Sequence, residues 1–165
     1  VTSRTPASRE SYAKDVGKAY GLNVRSVEST EAALEGADIV VSATTTSTPF
    51  VKDSWLAKGI TVYSIGKNQE MESAVYKHAD KFVVDSWAHC RNKSDMQRML
   101  QEKFLSEKDL YAELPELLSG KKPSRQSESE RIFIRAIGLV NQDVALANHI
   151  YQSAAAKRVG TVLPF

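Results

Sequence analysis

A hydroxyl, a guanidinium and a second hydroxyl follow one another near the start of the chain, at Ser3, Arg4 and Thr5. Arginine can bind a phosphate through two parallel charge-assisted hydrogen bonds, and this pattern therefore predicts a phosphate-binding turn. The alternative is that Arg4 is a solvated surface residue and Thr5 only a helix cap, because Pro6 follows it and suits the first helical position.

Hydroxyl side chains also crowd the segment from Thr44 to Thr48, just before Pro49. Thr44 and Thr45 could bind a ribose or another polar ligand, although an ordinary polar turn would have the same composition. Farther along the chain, Ile65 precedes Gly66, and a glycine permits close approach of a ligand to the backbone. The alternative for this pair is a simple turn between a strand and a loop.

The remaining reactive side chains indicate neither a metal site nor a nucleophile. His78, His89 and His149 lack the mutual spacing of metal ligands. A lone cysteine without a visible activating partner is usually a small buried hydrophobe, and we expect this of Cys90.

Strands and helices alternate along the chain, and they must position these residues. Apolar periodicity and capping residues predict helices at 5–20, 30–35, 71–78, 94–104, 108–118 and 140–160, and strands at 23–27, 38–43, 60–64, 81–85 and 131–135. The polar stretch 121–130 is expected to be an exposed linker. This alternation predicts an α/β, Rossmann-like, doubly wound domain with a mostly parallel sheet, which binds ligands at the carboxyl ends of its strands.

Length and charge exclude several classes of protein. The chain has 165 residues, a net charge of +2 with no basic cluster, and one cysteine. We therefore expect one globular domain in a reducing, cytoplasmic setting, with no nucleic-acid partner and no membrane span. The chain opens on Val1 without a methionine, as though cut inside a strand, and we expect a fragment.

Five segments in order resemble the ornithine cyclodeaminase and mu-crystallin family. They are the Ser3 to Thr5 triplet, GADIVVSAT at 36–44, SIG at 64–66, YAELPELLSG at 111–120 and GLVNQD at 138–143. The sequence IGKNQEM at 65–71 is also similar to a tyramine oxidase subgroup of that family.

The resemblance implies a nicotinamide-dinucleotide-binding domain over residues 1–138 that lacks its first strand and glycine loop. Residues 139–165 would form a helix and tail returning toward a missing substrate and dimer domain, so that the full-length protein is a homodimer. Ser3, Arg4, Thr5, Thr44, Thr45, Ile65 and Gly66 are the expected cofactor contacts. Because no acid stands beside Arg4, NADP is favoured over NAD.

Asn68 stands where cyclodeaminase-like members of the family place an aspartate that exchanges protons with substrate. An amide cannot act as a general base at neutral pH, although it can orient an amine or imine. Glu70 could replace that acid, but a solvated carboxylate at the start of a helix is the preferred interpretation. The resemblance thus implies hydride transfer between a nicotinamide cofactor and a small amine, imine or amino acid. The alternative is a non-catalytic, amine-oxidase-associated accessory protein.

Overall fold

The computed structural model describes residues 1–161 and 163–164 of the chain. Five strands form one sheet in this part of the chain: β1 (Ile39–Ser42), β2 (Thr61–Ser64), β3 (Lys81–Val84), β4 (Leu110–Glu113) and β5 (Ile132–Arg135). The flanking helices are α1 (Pro6–Tyr20), α2 (Thr30–Leu34), α3 (Ser73–His78), α4 (Trp87–Cys90), α5 (Ser94–Gln101), α6 (Leu114–Leu118) and α7 (Val140–Lys157).

The sheet is parallel throughout, in the order β1-β2-β5-β3-β4. β5 therefore lies in the middle, although it is the last strand along the chain. Parallel strands need crossover connections. Here α3 connects β2 to β3, and α4 and α5 connect β3 to β4, as in other α/β domains. The predicted Rossmann-like α/β fold is confirmed.

The core lies where three aromatic rings meet beside β3 and β5. The ring centroids of Tyr76 and Phe133 are 4.7 Å apart in an edge-to-face arrangement, and Phe82 stacks on Phe133 at 5.7 Å. Cys90 is fully buried beside them, as expected of a small hydrophobe. Burial raises the pKa of the Cys90 thiol to about 12, which leaves it unreactive at neutral pH.

Two predicted elements are wrong. Residues 23–27 are not a strand: the Val1 amino group donates to the Arg25 carbonyl at 2.7 Å and the Val27 amide to the Val1 carbonyl at 2.9 Å, too few contacts for a ladder. The helix predicted over 108–118 divides into β4 and α6, because the first residues pair with β3 at the edge of the sheet. Pro115 starts α6 rather than bending a longer helix.

The stretch 121–130 is a loop with mostly exposed side chains, but it is attached to the sheet rather than free. Lys81 is buried beneath it, donates to the Ser124 carbonyl and lies 3.1 Å from a Glu130 carboxylate oxygen. Arg125 donates to the Thr61 hydroxyl at 2.8 Å. The loop thus leads directly into β5 of the same domain.

Apolar side chains are exposed on the edge strand β1 and on the last helix, α7. Ile39 and Val41 of the edge strand β1 are 70% and 62% exposed. None of the 18 residues of α7 is buried. Val162 and Phe165 of the predicted tail lie outside the described residues. Within residues 1–161 and 163–164, no helix is both long and apolar enough to span a membrane.

Candidate functional site

The loops that follow β1 and β2 meet at the edge of the sheet where the strands end, which we call the carboxyl edge. The first loop contains Thr44 and Thr45, and the second contains Ile65, Gly66 and Asn68. β1 and β2 are paired in parallel, with Ser42 opposite Ser64, so their loops are neighbours. The structure therefore brings together five of the eight residues predicted from the sequence.

Glu70 joins these two loops. One of its carboxylate oxygens accepts from the Thr44 amide at 2.6 Å. The other accepts from the Ser64 hydroxyl at 2.8 Å and from the Gly66 amide at 3.1 Å. The residue is 0% exposed, so the interpretation of Glu70 as a solvated carboxylate is wrong.

The electrostatics of Glu70 favour its ionised form. Burial alone would raise the pKa of this carboxyl, but the hydrogen bonds donated by Thr44 and Ser64 outweigh burial and hold the pKa below its usual value. A carboxylate in this state accepts hydrogen bonds and does not donate a proton at neutral pH.

Gly66 leaves the space that the Glu70 carboxylate occupies. A Cβ atom at position 66 would lie 2.2 Å from Glu70 Cδ and 2.4 and 2.5 Å from its two oxygens. The sequence suggested that glycine was needed for close approach of a ligand, and the structure adds a reason within the protein itself.

Asn68 also connects the two loops. Its side-chain amide donates to the Thr46 carbonyl at 2.8 Å, and the residue is half-buried at the carboxyl edge. Thr46 in turn donates its amide to the Thr44 hydroxyl at 3.3 Å. The side chains of Thr44, Thr45 and Asn68 are neutral, so they can bind and orient a polar ligand but cannot titrate at neutral pH.

Arg135, at the end of β5, supports this site and was not predicted from the sequence. It is fully buried and donates to the Gly66 carbonyl at 2.6 Å and to the Asn68 carbonyl at 3.3 Å. Its charge is compensated by Asp95 at 3.6 Å, which also accepts from the Tyr76 hydroxyl at 3.3 Å. Arg135 thereby fixes the second loop against the central strand.

Asp85, which follows β3, was also missed. Its carboxylate accepts from the amides of Ile137 and Gly138, each at 2.8 Å, and from the Ser86 amide at 2.8 Å. A buried run that ends in a carboxylate at the carboxyl edge was the available signal. Asp85 joins the loops after β3 and β5 as Glu70 joins those after β1 and β2.

Of the triplet Ser3, Arg4 and Thr5, Ser3 lines a cleft that also reaches the first of these loops. The cleft has a volume of about 620 Å³ and is lined by residues 1–3 on one side and 39–44 on the other, so Ser3 and Thr44 face the same space. The Thr5 side chain caps α1 by accepting from the Ser8 amide at 3.4 Å, as the alternative interpretation held. Arg4 is exposed at the turn between Ser3 and the cap.

These features fit part of a dinucleotide. Hydroxyls and backbone groups at the carboxyl edge suit a ribose and a carboxamide, and an exposed guanidinium suits a phosphate. In the described part of the chain, no three histidine, cysteine, aspartate or glutamate side chains are grouped to hold a metal ion.

Comparison with known proteins decides the family. A sequence model of the ornithine cyclodeaminase/mu-crystallin family matches residues 1–158. The chain belongs to this family. Among members of the family, N-((2S)-2-amino-2-carboxyethyl)-L-glutamate dehydrogenase of Staphylococcus aureus is 32% identical over 143 residues, which are 86% of this chain and 42% of that protein.

Solved structures agree with the family assignment. The Thermococcus litoralis Δ1-pyrroline-2-carboxylate reductase, in complex with NADH and L-proline, superposes with a TM-score of 0.91 at 31% identity, over 99% of this chain and 52% of that one. An archaeal alanine dehydrogenase dimer with bound NAD superposes with a TM-score of 0.80 at 28% identity, over 96% of this chain and 51% of that one. The chain thus spans about half the length of the relatives it matches.

Proposed function

We propose that this chain is the dinucleotide-binding half of an enzyme that transfers a hydride between a nicotinamide cofactor and a small imine, amine or amino acid. The observation that supports this most directly is the meeting of the Thr44 and Gly66 loops at the carboxyl edge, where Glu70 joins them. In parallel α/β sheets this edge is where dinucleotides bind. The named relatives, dehydrogenases and a reductase, act on substrates of this kind.

In this proposal the protein binds and orients, and a nicotinamide dinucleotide supplies or accepts the hydride when bound. Thr44 and Thr45 would hold the ribose on the nicotinamide side, and Ile65 and Gly66 would bind beside the nicotinamide. Asn68 faces the substrate nitrogen as a neutral hydrogen-bonding group.

The proposal is tested on a longer protein in which a segment precedes Val1 and supplies a strand, a glycine loop and a substrate domain. Oxidation of NADPH or NADH is followed by absorbance. The substrates supplied are cyclic imino acids in one series and keto acids together with amines in another. Consumption of the reduced cofactor that depends on the imine supports the proposal. Failure of every imine and keto acid, by a folded protein that binds the cofactor, would reject hydride transfer.

We propose the same division of domains as the sequence suggested, with residues 1–138 as the cofactor domain and 139–165 extending toward the substrate and dimer domain. Apolar side chains of α7 between Val140 and Tyr151 are 57–75% exposed, a surface suited to burial against another unit. An archaeal relative is a dimer. A homodimer of the longer protein follows from this proposal.

NADP is the preferred cofactor in this proposal. Arg4 is exposed next to Ser3, and no carboxylate accompanies it in the Ser3 to Thr5 turn to accept hydrogen bonds from the hydroxyls of an unphosphorylated ribose.

Replacing Arg4 with glutamate in the longer protein is expected to shift the preference from NADP toward NAD. The substitution removes the cation that pairs with the 2'-phosphate and supplies an acceptor for the ribose hydroxyls, an effect of about ten-fold or more on the ratio of the two dissociation constants. Calorimetry measures this ratio. Arg25→Glu is the control, because Arg25 is exposed outside this turn. An unchanged ratio in Arg4→Glu would make Arg4 a solvated surface residue.

A second candidate function is the non-catalytic accessory protein. The observation that favours it is the neutral amide of Asn68, which is engaged with the Thr46 carbonyl and leaves no acid at that position. The two candidates differ in whether the longer protein consumes the reduced cofactor when an imine is present.

Asn68→Asp is expected to introduce a new ionisation into the pH profile of kcat/KM. A carboxylate at this position loses the hydrogen bond to the Thr46 carbonyl and gains the ability to exchange protons. Asn68→Ala is expected to raise KM for the imine while changing cofactor affinity by less than about five-fold, since one neutral hydrogen bond is worth about 1 kcal/mol. Steady-state kinetics across pH check both results. Identical profiles for wild type and both variants would remove Asn68 from the site.

A further inference from the structure

Glu70 binds both loops of the proposed cofactor site at once. We propose that Glu70 is a positioning residue, which sets the spacing between the Thr44 loop and the Gly66 loop so that both face one dinucleotide. This inference rests on the proposed function, because it concerns the same site. Glu70 itself is 0% exposed, so in this proposal it acts on the ligand only through the two loops that it binds.

The chemistry of the three donors requires a carboxylate at this position. The Thr44 and Gly66 amides can only donate, and they bind different oxygens of Glu70, at 2.6 and 3.1 Å. A glutamine has one oxygen and one NH2 group, so in either orientation its NH2 group faces one of these amides. Only the Ser64 hydroxyl, at 2.8 Å, can rotate to accept instead. The amide variant therefore keeps the shape of Glu70 but releases one loop.

Gly66 and Glu70 form a matched pair. A methyl group at position 66 would lie 2.2 Å from Glu70 Cδ, closer than any side chain tolerates. The second loop can approach the carboxylate only because residue 66 has no side chain. Arg135 holds the same glycine from the other side through its carbonyl at 2.6 Å. The position of Gly66 is thus fixed by a carboxylate at its amide and a guanidinium at its carbonyl.

The first arm of the test uses the 165-residue chain and requires no cofactor. Hydrogen exchange of backbone amides is compared between wild type and Glu70→Gln by NMR. We expect the Thr44 or the Gly66 amide to exchange at least about ten-fold faster in the variant, as the loss of a hydrogen bond to a charged group implies. Unchanged exchange at both amides would overturn the inference.

Glu72→Gln is the matched control. Glu72 also accepts a backbone hydrogen bond, from the Asp53 amide at 3.0 Å. Asp53 pairs with Arg131, which precedes β5, so this contact lies away from the carboxyl edge. The control is expected to leave exchange at Thr44 and Gly66 and dinucleotide affinity unchanged.

The second arm measures the dinucleotide dissociation constant of the longer protein by calorimetry, well below its unfolding temperature. We expect Glu70→Gln to bind at least about ten-fold more weakly, and the pH profile of kcat/KM to keep its shape. A merely structural role would lower the unfolding temperature and leave the dissociation constant of the folded protein unchanged, which would overturn the inference. Loss of one limb of the pH profile would also overturn it, because Glu70 would then exchange protons.

Glu70→Asp is the second variant, used if Glu70→Gln does not fold. It keeps the charge, but a side chain shorter by one methylene cannot reach both loops, so weaker binding is again expected and wild-type affinity would contradict the inference. If the longer wild-type protein binds neither NADP nor NAD, the proposed function fails and the positioning role fails with it. Wild-type binding with unaffected Glu70 variants rejects only the role of Glu70.

Discussion

The 165-residue chain alone is expected to bind NADP or NAD at least about a thousand-fold more weakly than a longer protein in which a strand, a glycine loop and a helix precede Val1. Backbone donors at a glycine loop and helix amino terminus normally hold the pyrophosphate of a dinucleotide. Losing two such charge-assisted hydrogen bonds, at about 2 kcal/mol each, corresponds to about a thousand-fold in affinity. Calorimetry on both proteins measures the difference.

A strand that preceded Val1 would fit beside β1. The cleft of about 620 Å³ separates residues 1–3 from β1, and the exposed Ile39 and Val41 lie on the β1 side. A strand in the cleft would pair with the free edge of β1 and place its loop at the carboxyl edge. Submicromolar binding by the 165-residue chain would show that the pyrophosphate is held in another way.

Replacing Arg135 with methionine is expected to lower the free energy of unfolding by about 3–5 kcal/mol, because it leaves a buried carboxylate without its counter-charge. Asp95 lies 3.6 Å from the guanidinium and is itself buried. The Gly66 and Asn68 carbonyls lose their donors in the same variant. Urea denaturation of the 165-residue chain, followed by circular dichroism, measures the change.

Arg131→Met is the control for this effect. Arg131 also pairs with an aspartate, Asp53 at 2.8 Å, but both side chains are 19% exposed, so we expect a loss of about 1 kcal/mol. The double variant Arg135→Met with Asp95→Asn is expected to recover part of the lost stability, since it removes the uncompensated charge. Equal losses for Arg135→Met and Arg131→Met would contradict the assignment of a buried ion pair.

The order of strands and helices followed from the sequence wherever local signals agreed with tertiary pairing. β1, β2, β3 and β5 lie within their predicted ranges, because apolar runs between helices with clear caps have few alternatives. β4 was missed because Leu110–Glu113 reads locally as the start of a helix, and only pairing with β3 makes it a strand. The predicted strand at 23–27 failed for the opposite reason, since it finds only Val1 as a partner.

The residues at the carboxyl edge could be predicted to lie on loops, but the buried side chains that hydrogen-bond to those loops could not be predicted. Thr44, Gly66 and Asn68 could be placed because each follows a predicted strand. The burial of Glu70 depends on the pairing of β1 with β2, and that of Arg135 on the insertion of β5 beside β2. No local pattern distinguishes a buried carboxylate that accepts three hydrogen bonds from a solvated one at the start of a helix.

The central place of β5 also governs how the chain can acquire its structure. Thr61 of β2 pairs with Ile132, and Lys81 of β3 pairs with the same residue, so β5 alone joins the β1–β2 pair to the β3–β4 pair. Within the described part of the chain, the β1–β2 pair and the β3–β4 pair stay separate until β5 has been synthesised. Pairing β2 with β5 closes the loop of residues 65–131 between them, which is entropically costly and slows folding. We therefore expect the two strand pairs to join into one cooperative sheet only after residues 132–135 have emerged from the ribosome.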